Sequence, residues 1–368
     1  MRILYIITSL EGGGAQNLLI DVCKVLKENH KITIAYLLDL QAYEKQLQDM
    51  GIETIFVDSK KMGVLRAISK VRNIIKEYKI DLVHTHLPAA DTIGRIAGIL
   101  TPGLRIVSTI HGEDEWKKSG KLQFRILRLF NRLSINLFKR VELISVSNSA
   151  KEYCIKYEKI ARNKITVIYN FVDFGNPVKS DSEYVAAQRE PGQFVMINVA
   201  RLEPEKAHLL LLEAIKKLCE KNKNVLLHIL GVGKEQANIE AFIAGNNLSA
   251  HVKLWGYRKN IYDYIKDADL FILSSYCEGQ SIALLESFYC GTPVLASGIS
   301  ANSEILQGGE NGVLFKTGDP EDLAEKVIKI MDGEYDTDAM VKHADTFCRQ
   351  LSIERHIEKL EQVYHKKD

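Results

Sequence analysis

Two glutamates pose the first question. The stretch "YCEGQSIALLESFYCGTPVLAS" (276–297) holds Glu278 and Glu286 with seven residues between them. Paired carboxylates can act as general acid and base, as metal ligands, or as acceptors for sugar hydroxyls. "DLFILSS" (269–275) reads as a strand, "YCEGQ" as a turn and "SIALLESFYCG" as a helix. Glu278 therefore precedes the helix and Glu286 lies inside it. Gly279 permits a close backbone approach. The amides of Gln280, Ser281 and Ile282 open the helix, where phosphate or sugar oxygens find donors.

Cations stand upstream of these carboxylates. Arg201 follows the run "QFVMINVA" (193–200), and Lys206 lies five residues on, near the next helix start. Two fixed cations beside a helix N-terminus suit a polyanion, although two ordinary surface cations would look the same. "GVGK" (231–234) reads as a tight turn into a helix. Tyr257 and Arg258, after "HVKLWG" (251–256), form a turn that could frame a flat base.

Near the start of the chain, Gly12, Gly13 and Gly14 free the backbone after the first strand. A dinucleotide fingerprint needs a further glycine where the chain has Asn17, and Asp39 cannot carry that reading alone. The expectation is a loop that closes against donor phosphates. His84 and His86 are two apart on a strand and point the same way. No third ligand is near them in sequence, so a structural role is expected. His111 ends the next strand. Asp267 and Asp269 have the spacing of a metal-binding Asp-x-Asp, but they precede a strand, at the end away from the other polar motifs. A structural role is expected there too.

These residues need a scaffold, and the apolar pattern supplies it. Runs at 2–8, 31–38, 53–58, 81–86, 105–111, 142–147 and 165–170 read as strands, with helical patterns such as 15–29 and 64–78 between them. Near-continuous β-branched runs imply parallel strands covered by helices. Residues 173–192 are polar, with weak periodicity, and read as a linker. The alternation restarts at 193–200, 224–231, 251–256, 269–275, 292–297 and 312–315. The expected fold is α/β, with two Rossmann-like doubly wound domains, 1–172 and 193–350, facing a cleft. A charged, amphipathic helix follows at 351–368. Every polar motif above except the Asp267–Asp269 pair falls just after a strand.

Composition narrows the function. The chain has 368 residues and a formal net charge of +2, so no global pull toward nucleic acid is expected. Its six cysteines form no Cys-x-x-Cys pair, which excludes the usual zinc and disulfide patterns. "MRILYIITSLEGGG" enters a strand at once, and no run is long enough for a membrane span. A cytoplasmic protein is expected.

The pattern Glu-(seven residues)-Glu, with Gly279 after the first glutamate and "CGTPV" beyond the second, resembles the signature of retaining nucleotide-sugar glycosyltransferases of the two-domain GT-B architecture, family 4. "ARLEPEK", "GYRKNIYDYIKDADLFILSS", "GGENGVLF" and "GGGAQNLL" are similar to other parts of that family, and "HTHLPAAD" resembles members that build cell-surface polysaccharides. The likeness implies that Arg201 and Lys206 hold the donor's diphosphate, that Glu286 bonds the ribose and that Glu278 bonds the donor sugar beside the amides of 280–282. It places His111 near the donor sugar and acceptor. It further implies a nucleotide-sugar donor (a UDP-sugar), a glycan or lipid-linked acceptor, retention of anomeric configuration, no metal and no cofactor. Gln280 departs from the aromatic residue that many members carry there, which alters the sugar pocket. The final helix is expected to cross back to the first domain. Rival readings are a nucleotide-sugar epimerase of the same architecture, a glycosidase, and an inactive nucleotide-sugar-binding subunit.

One segment stands apart. Residues 117–140 hold eight Lys or Arg and no acid. Lys121, Arg125, Arg128 and Arg132 share a helix face, while Phe124, Leu127, Phe130 and Ile135 occupy other sides. Such a helix suits an anionic membrane surface. A solvated face of a core helix would carry the same pattern.

Overall fold

Aliphatic runs such as RILYII become strands whose side chains are buried almost throughout. That is what a parallel sheet covered on both faces requires. The computed structural model describes residues 1–11, 13–40, 42–112, 121–175 and 189–366. Gly12, residues 117–120 of the basic segment, most of the 173–192 stretch and the last two residues lie outside them. The chain divides into two units, Met1–Asn170 with Ile353–Asp368, and Phe171–Ser352.

The first unit runs β1 (Arg2–Ile7), α1 (Gly14–Leu26), β2 (Lys31–Tyr36), α2 (Glu44–Asp49), β3 (Glu53–Phe56), α3 (Ser59–Met62), α4 (Val64–Glu77), β4 (Leu82–His86), α5 (Pro88–Ile99), β5 (Arg105–Ile110), α6 (Leu122–Asn136), β6 (Val141–Ser145), α7 (Asn148–Tyr153) and β7 (Ile165–Val167). Its strands lie parallel in the order β3-β2-β1-β4-β5-β6-β7. The order reverses between β1 and β4. The loops leaving those two strands diverge and open a crevice at their C-terminal ends.

The second unit repeats the plan with β8 (Phe194–Val199), α8 (His208–Glu220), β9 (Val225–Leu230), α9 (Gln236–Gly245), β10 (Val252–Gly256), α10 (Tyr262–Lys266), β11 (Leu270–Leu273), α11 (Ile282–Cys290), β12 (Val294–Ser297), α12 (Ser300–Ile305), β13 (Val313–Phe315), α13 (Pro320–Met331) and α14 (Thr337–Cys348). The order is β10-β9-β8-β11-β12-β13, again parallel, with its reversal between β8 and β11. The two doubly wound sheets confirm the α/β fold class. Strand ends are shorter than the apolar runs. The run at 165–170, for instance, gives an edge strand of Ile165–Val167 beside β6, with one more bond from the Ile168 amide to the Ser145 carbonyl.

A buried polar network fixes the helices of the first unit. Thr85 on β4 donates to Asp91 Oδ1 on α5 at 2.6 Å. Arg95, only 1% exposed, donates through Nε to the Asp91 carbonyl at 3.1 Å and through Nη2 to Asn131 Oδ1 on α6 at 2.9 Å. Asn131 then donates to Glu158 Oε2 at 2.7 Å. A guanidinium is tolerated at this depth because its donors meet acceptors.

The last helix, α15 (Ile353–His365), packs against α1 of the first unit. The Tyr364 hydroxyl sits 2.7 Å from that of Tyr5 and 2.6 Å from His84 Nδ1, and His84 Nε2 lies 2.7 Å from the Thr109 hydroxyl. His356 Nδ1 lies 2.9 Å from the Tyr169 carbonyl. Burial lowers His84 well below the usual imidazole range and His356 to about 4.

Arg95→Met should remove about 3 kcal/mol of stability, because Asn131 and Glu158 stay buried without their cation; denaturant melts measure this, and a loss under about 1 kcal/mol would contradict it. The histidines set the acid response. Above pH ~6.5 the folded and unfolded chains are both neutral at these sites. Below it the unfolded chain takes protons that the folded chain refuses until about pH 4. Thermal melts should therefore show stability falling from pH 6.5 to 4. His356→Asn, which can still donate to the Tyr169 carbonyl, should make that slope shallower. An unchanged slope would contradict the assignment.

Candidate active site

In the second unit, the two strands that flank the reversal each end in a loop that carries predicted site residues. After β8 the chain passes Arg201, makes a single turn at Pro204–Lys206, and enters α8 through Ala207, whose φ of 53° is left-handed. After β11 it passes Ser274 and Ser275, turns through Glu278–Gly279, and starts α11 at Ile282. Ser274 donates to the Lys206 carbonyl at 2.8 Å, and the Tyr276 amide donates to the Glu205 carbonyl at 2.8 Å. These two bonds set the loops in register.

The register places Lys206 Nζ 2.6 Å from Glu278 Oε1, with both side chains largely buried. Ser275 donates to the same oxygen at 2.7 Å. Glu278 Oε2 has no partner among the described residues, and one bond leaves the ammonium two further donors. The pair thus offers one acceptor and two donors to a ligand. Arg201 is largely exposed, its Nη2 3.3 Å from Glu205 Oε1. It has room to swing toward an anion.

The other carboxylate, Glu286, is the fifth residue of α11, and Gln280 ahead of that helix is buried. The Ser281 hydroxyl caps the Leu284 amide at 3.3 Å. The amides of Gln280, Ser281 and Ile282, ahead of it, are therefore not taken up by that hydroxyl. Tyr257 and Arg258 follow Gly256, whose φ of 65° turns the chain out of β10. Both are exposed, and Arg258 lies over the Trp255 ring at 5.6 Å.

Two glycines in "GVG" serve packing. A Cβ on Gly231 would sit 1.9 Å from the Ala200 carbonyl oxygen, and one on Gly233 would sit 2.3 Å from that of Leu202. The loop after β9 presses backbone to backbone on the loop that carries Arg201. Asp267 and Asp269 lie at the opposite end of the sheet. Asp269 pairs with Arg189 and accepts from the Val195 amide at 2.8 Å, tying β11 to β8. Asp269 is thus engaged within the sheet.

The remaining predicted residues belong to the first unit. Gly13, extended at φ −177°, is the N-cap of α1, and Gly14 is that helix's first residue. Gly12 lies outside the described residues. His111 follows β5, and its Nε2 lies 2.9 Å from His86 Nδ1. Burial lowers His111 to about 4, so it is neutral at physiological pH.

Sequence reasoning missed Ser275, Ser274 and Glu205, which seat the ion pair. The serines precede Glu278 by three and four residues, a spacing readable as a turn. Nothing local linked them to Lys206. It also grouped Phe124, Leu127, Phe130 and Ile135 as the apolar residues of α6, of which Ile135 is buried, and did not single out the apolar row that is exposed: Leu122, Ile126, Leu129, Leu133 and Leu137.

Comparison with known proteins agrees. Residues 12–175 match the family described as Glycosyltransferase Family 4, and residues 181–347 match Glycosyl transferases group 1. The chain is 28% identical to an Escherichia coli UDP-Gal:alpha-D-GlcNAc-diphosphoundecaprenol alpha-1,3-galactosyltransferase, covering 82% of this chain and 79% of that one. It is 23% identical, over 96% and 95% of the two lengths, to a Campylobacter jejuni alpha-1,4-N-acetyl-D-galactosaminyltransferase whose name specifies a PP-undecaprenol-linked acceptor. In three dimensions it resembles Anabaena HepE in complex with UDP-glucose, with a TM-score of 0.85, 21% identity and 99% of both chains covered. The chain belongs to the GT-B glycosyltransferases of the family 4 type.

Proposed function

We propose that this glycosyltransferase moves a hexose from a UDP-sugar to a lipid-linked or glycan acceptor in cell-surface polysaccharide synthesis, with retention of anomeric configuration. One observation carries the reading. Glu278 is locked to Lys206 and Ser275 at the reversal of the second sheet, where α/β folds bind ligands. The acceptor class follows the two undecaprenol-linked substrates in the relatives' names, and the uridine follows the UDP-Gal donor of the first.

In this scheme Lys206, Arg201 and the amides opening α11 hold the donor diphosphate. Gly13 and Gly14 leave the N-terminus of α1 able to take a phosphate in its own right. Glu278 Oε2 accepts from a donor-sugar hydroxyl, beside Gly279 and Gln280. Glu286 accepts from the ribose, and the turn at Tyr257 and Arg258 frames the base. The acceptor oxygen bonds to the anomeric carbon as the bond to the diphosphate breaks, on the same face. The acceptor's proton passes to the departing phosphate oxygen. Fixed cations stabilise the charge that develops on the leaving group, so the step needs neither a general acid nor a metal ion. His111 is assigned, by the resemblance, a neutral polar contact to the reacting groups.

The helix α6 gives the acceptor's source a physical basis. Leu122, Ile126, Leu129, Leu133 and Leu137 recur every three or four residues and are all exposed, so they form one stripe. Lys121, Arg125, Arg128 and Arg132 sit one position earlier and form a cationic stripe beside it. The third side is buried through Asn131, Ser134 and Ile135. An exposed apolar row next to a cationic row suits an anionic lipid surface. We propose peripheral attachment of the enzyme to the inner membrane face.

Four measurements test these readings. Glu278→Gln and Arg201→Ala should each cut transfer of labelled sugar about a hundredfold, on the scale of removing one preorganised polar group from an active site. The product's anomeric linkage, read by NMR, should match the donor's, and EDTA should leave the rate unchanged. Wild-type rates in both variants would sink the site; an inverted product or EDTA-sensitive transfer would sink the mechanism. For the membrane, sedimentation should show binding to vesicles containing anionic lipid and weak binding to neutral ones. Ile126→Glu with Leu129→Glu should abolish binding. Equal binding to both vesicle types, or none to either, would contradict attachment.

A further inference from the structure

His86 plays no part in the scheme above, yet it is the group bonded to His111. It is 7% exposed, on β4, with its Nδ1 2.9 Å from His111 Nε2 and the two rings 5.2 Å apart. Its other face stacks on His84, centroids 4.4 Å apart. Both nitrogens of His84 are already occupied by the hydroxyls of Tyr364 and Thr109. His84 therefore cannot turn, and it walls in the His86 ring. His86 Nε2 is buried without a partner among the described residues, beside a cavity bounded by Tyr5, Leu18 and His356.

These facts point to one arrangement of the protons. Burial lowers both His86 and His111, so the pair is neutral and a single proton occupies the bond between them. A buried N–H without an acceptor is rarer in folded proteins than an under-satisfied acceptor. The unpartnered His86 Nε2 is therefore the lone pair, and the His86 proton sits on Nδ1, donated to His111 Nε2. His111 must then carry its own proton on Nδ1, the nitrogen that has no partner among the described residues.

We propose that His86 is a positioning residue that holds His111 as the Nδ1–H tautomer and presents that N–H to an oxygen of the reacting sugars. The inference rests on the assignment of His111 to the transfer site. It makes His111 a hydrogen-bond donor and excludes it as a general base at Nδ1. Sequence distance hid the relation, since the two residues are 25 apart and meet only because β4 and β5 are neighbours.

The test combines kinetics with imidazole NMR. In ¹⁵N-histidine-labelled wild-type enzyme, two-bond proton–nitrogen spectra should show His111 as one neutral Nδ1–H tautomer at pH 7. His86→Phe keeps a flat ring but loses the donor. It should lower kcat about tenfold with the donor KM unchanged, the scale of one positioned hydrogen bond, and return His111 to the Nε2–H form or a mixture. His86→Asn, whose amide can donate from nearly the same point, should recover most of the rate. An Nε2–H or mixed His111 in the wild type overturns the proposal, even if the phenylalanine variant fails to fold. So does a phenylalanine variant with wild-type kcat while His111→Ala is impaired. If His111→Ala itself transfers at the wild-type rate, the assignment of His111 falls, and this inference with it.

Discussion

A lysine and a glutamate, 72 residues apart in the chain, meet at 2.6 Å where the strand order of the second sheet reverses. Burying either charge alone would be costly, and together they are held by geometry as well as attraction. Ser275 supplies a third contact to the carboxylate, and Ser274 and Tyr276 bond to the backbone beneath the lysine. The pair thus adds a side-chain link between two loops that these backbone contacts and the β8–β11 register already hold together. It also explains why one carboxylate oxygen and two ammonium protons remain available to a ligand. A pair that spent all its bonding capacity internally would be only a strut.

The first unit solves its positioning problem differently, with neutral groups. Tyr5, Tyr364, His84 and Thr109 form a chain of short hydrogen bonds beneath the strand ends, and burial keeps the imidazoles uncharged. Neutrality matters here, because clustered imidazolium groups would repel one another and drive the cluster apart. Two residues of this region, Tyr364 and His356, arrive from the last helix. The same helix that ends the chain therefore helps to shape the crevice beside β4.

Arg95 gives the candidate membrane helix its footing. Its guanidinium reaches from α5 to Asn131 on the buried side of α6, and Asn131 passes the contact on to Glu158. A helix tied down on one face by polar bonds can afford an apolar stripe on another without collapsing that stripe into the core. The cations beside the stripe keep it compatible with water in the absence of lipid.

The sequence alone determined the architecture, because hydrophobic periodicity is local and strong. Continuous β-branched runs can only be strands covered on both faces, and the pattern that stops near residue 172 and resumes at 193 implies two sheets. It also determined that Glu278, Arg201, Lys206 and His111 follow strands, where parallel sheets put their ligands. It did not determine which of these meet. Lys206 touches Glu278 because β8 and β11 are sheet neighbours, and the order of strands is a property of the whole sheet. His86 meets His111 for the same reason. Arg95, Asn131 and Glu158 gave no local signal at all, since a buried guanidinium looks in sequence like any helical arginine. The exposed row on α6 was hidden for a related reason: one face of a helix holds apolar residues whether it meets a core or a surface, and only the packing of its neighbours decides which.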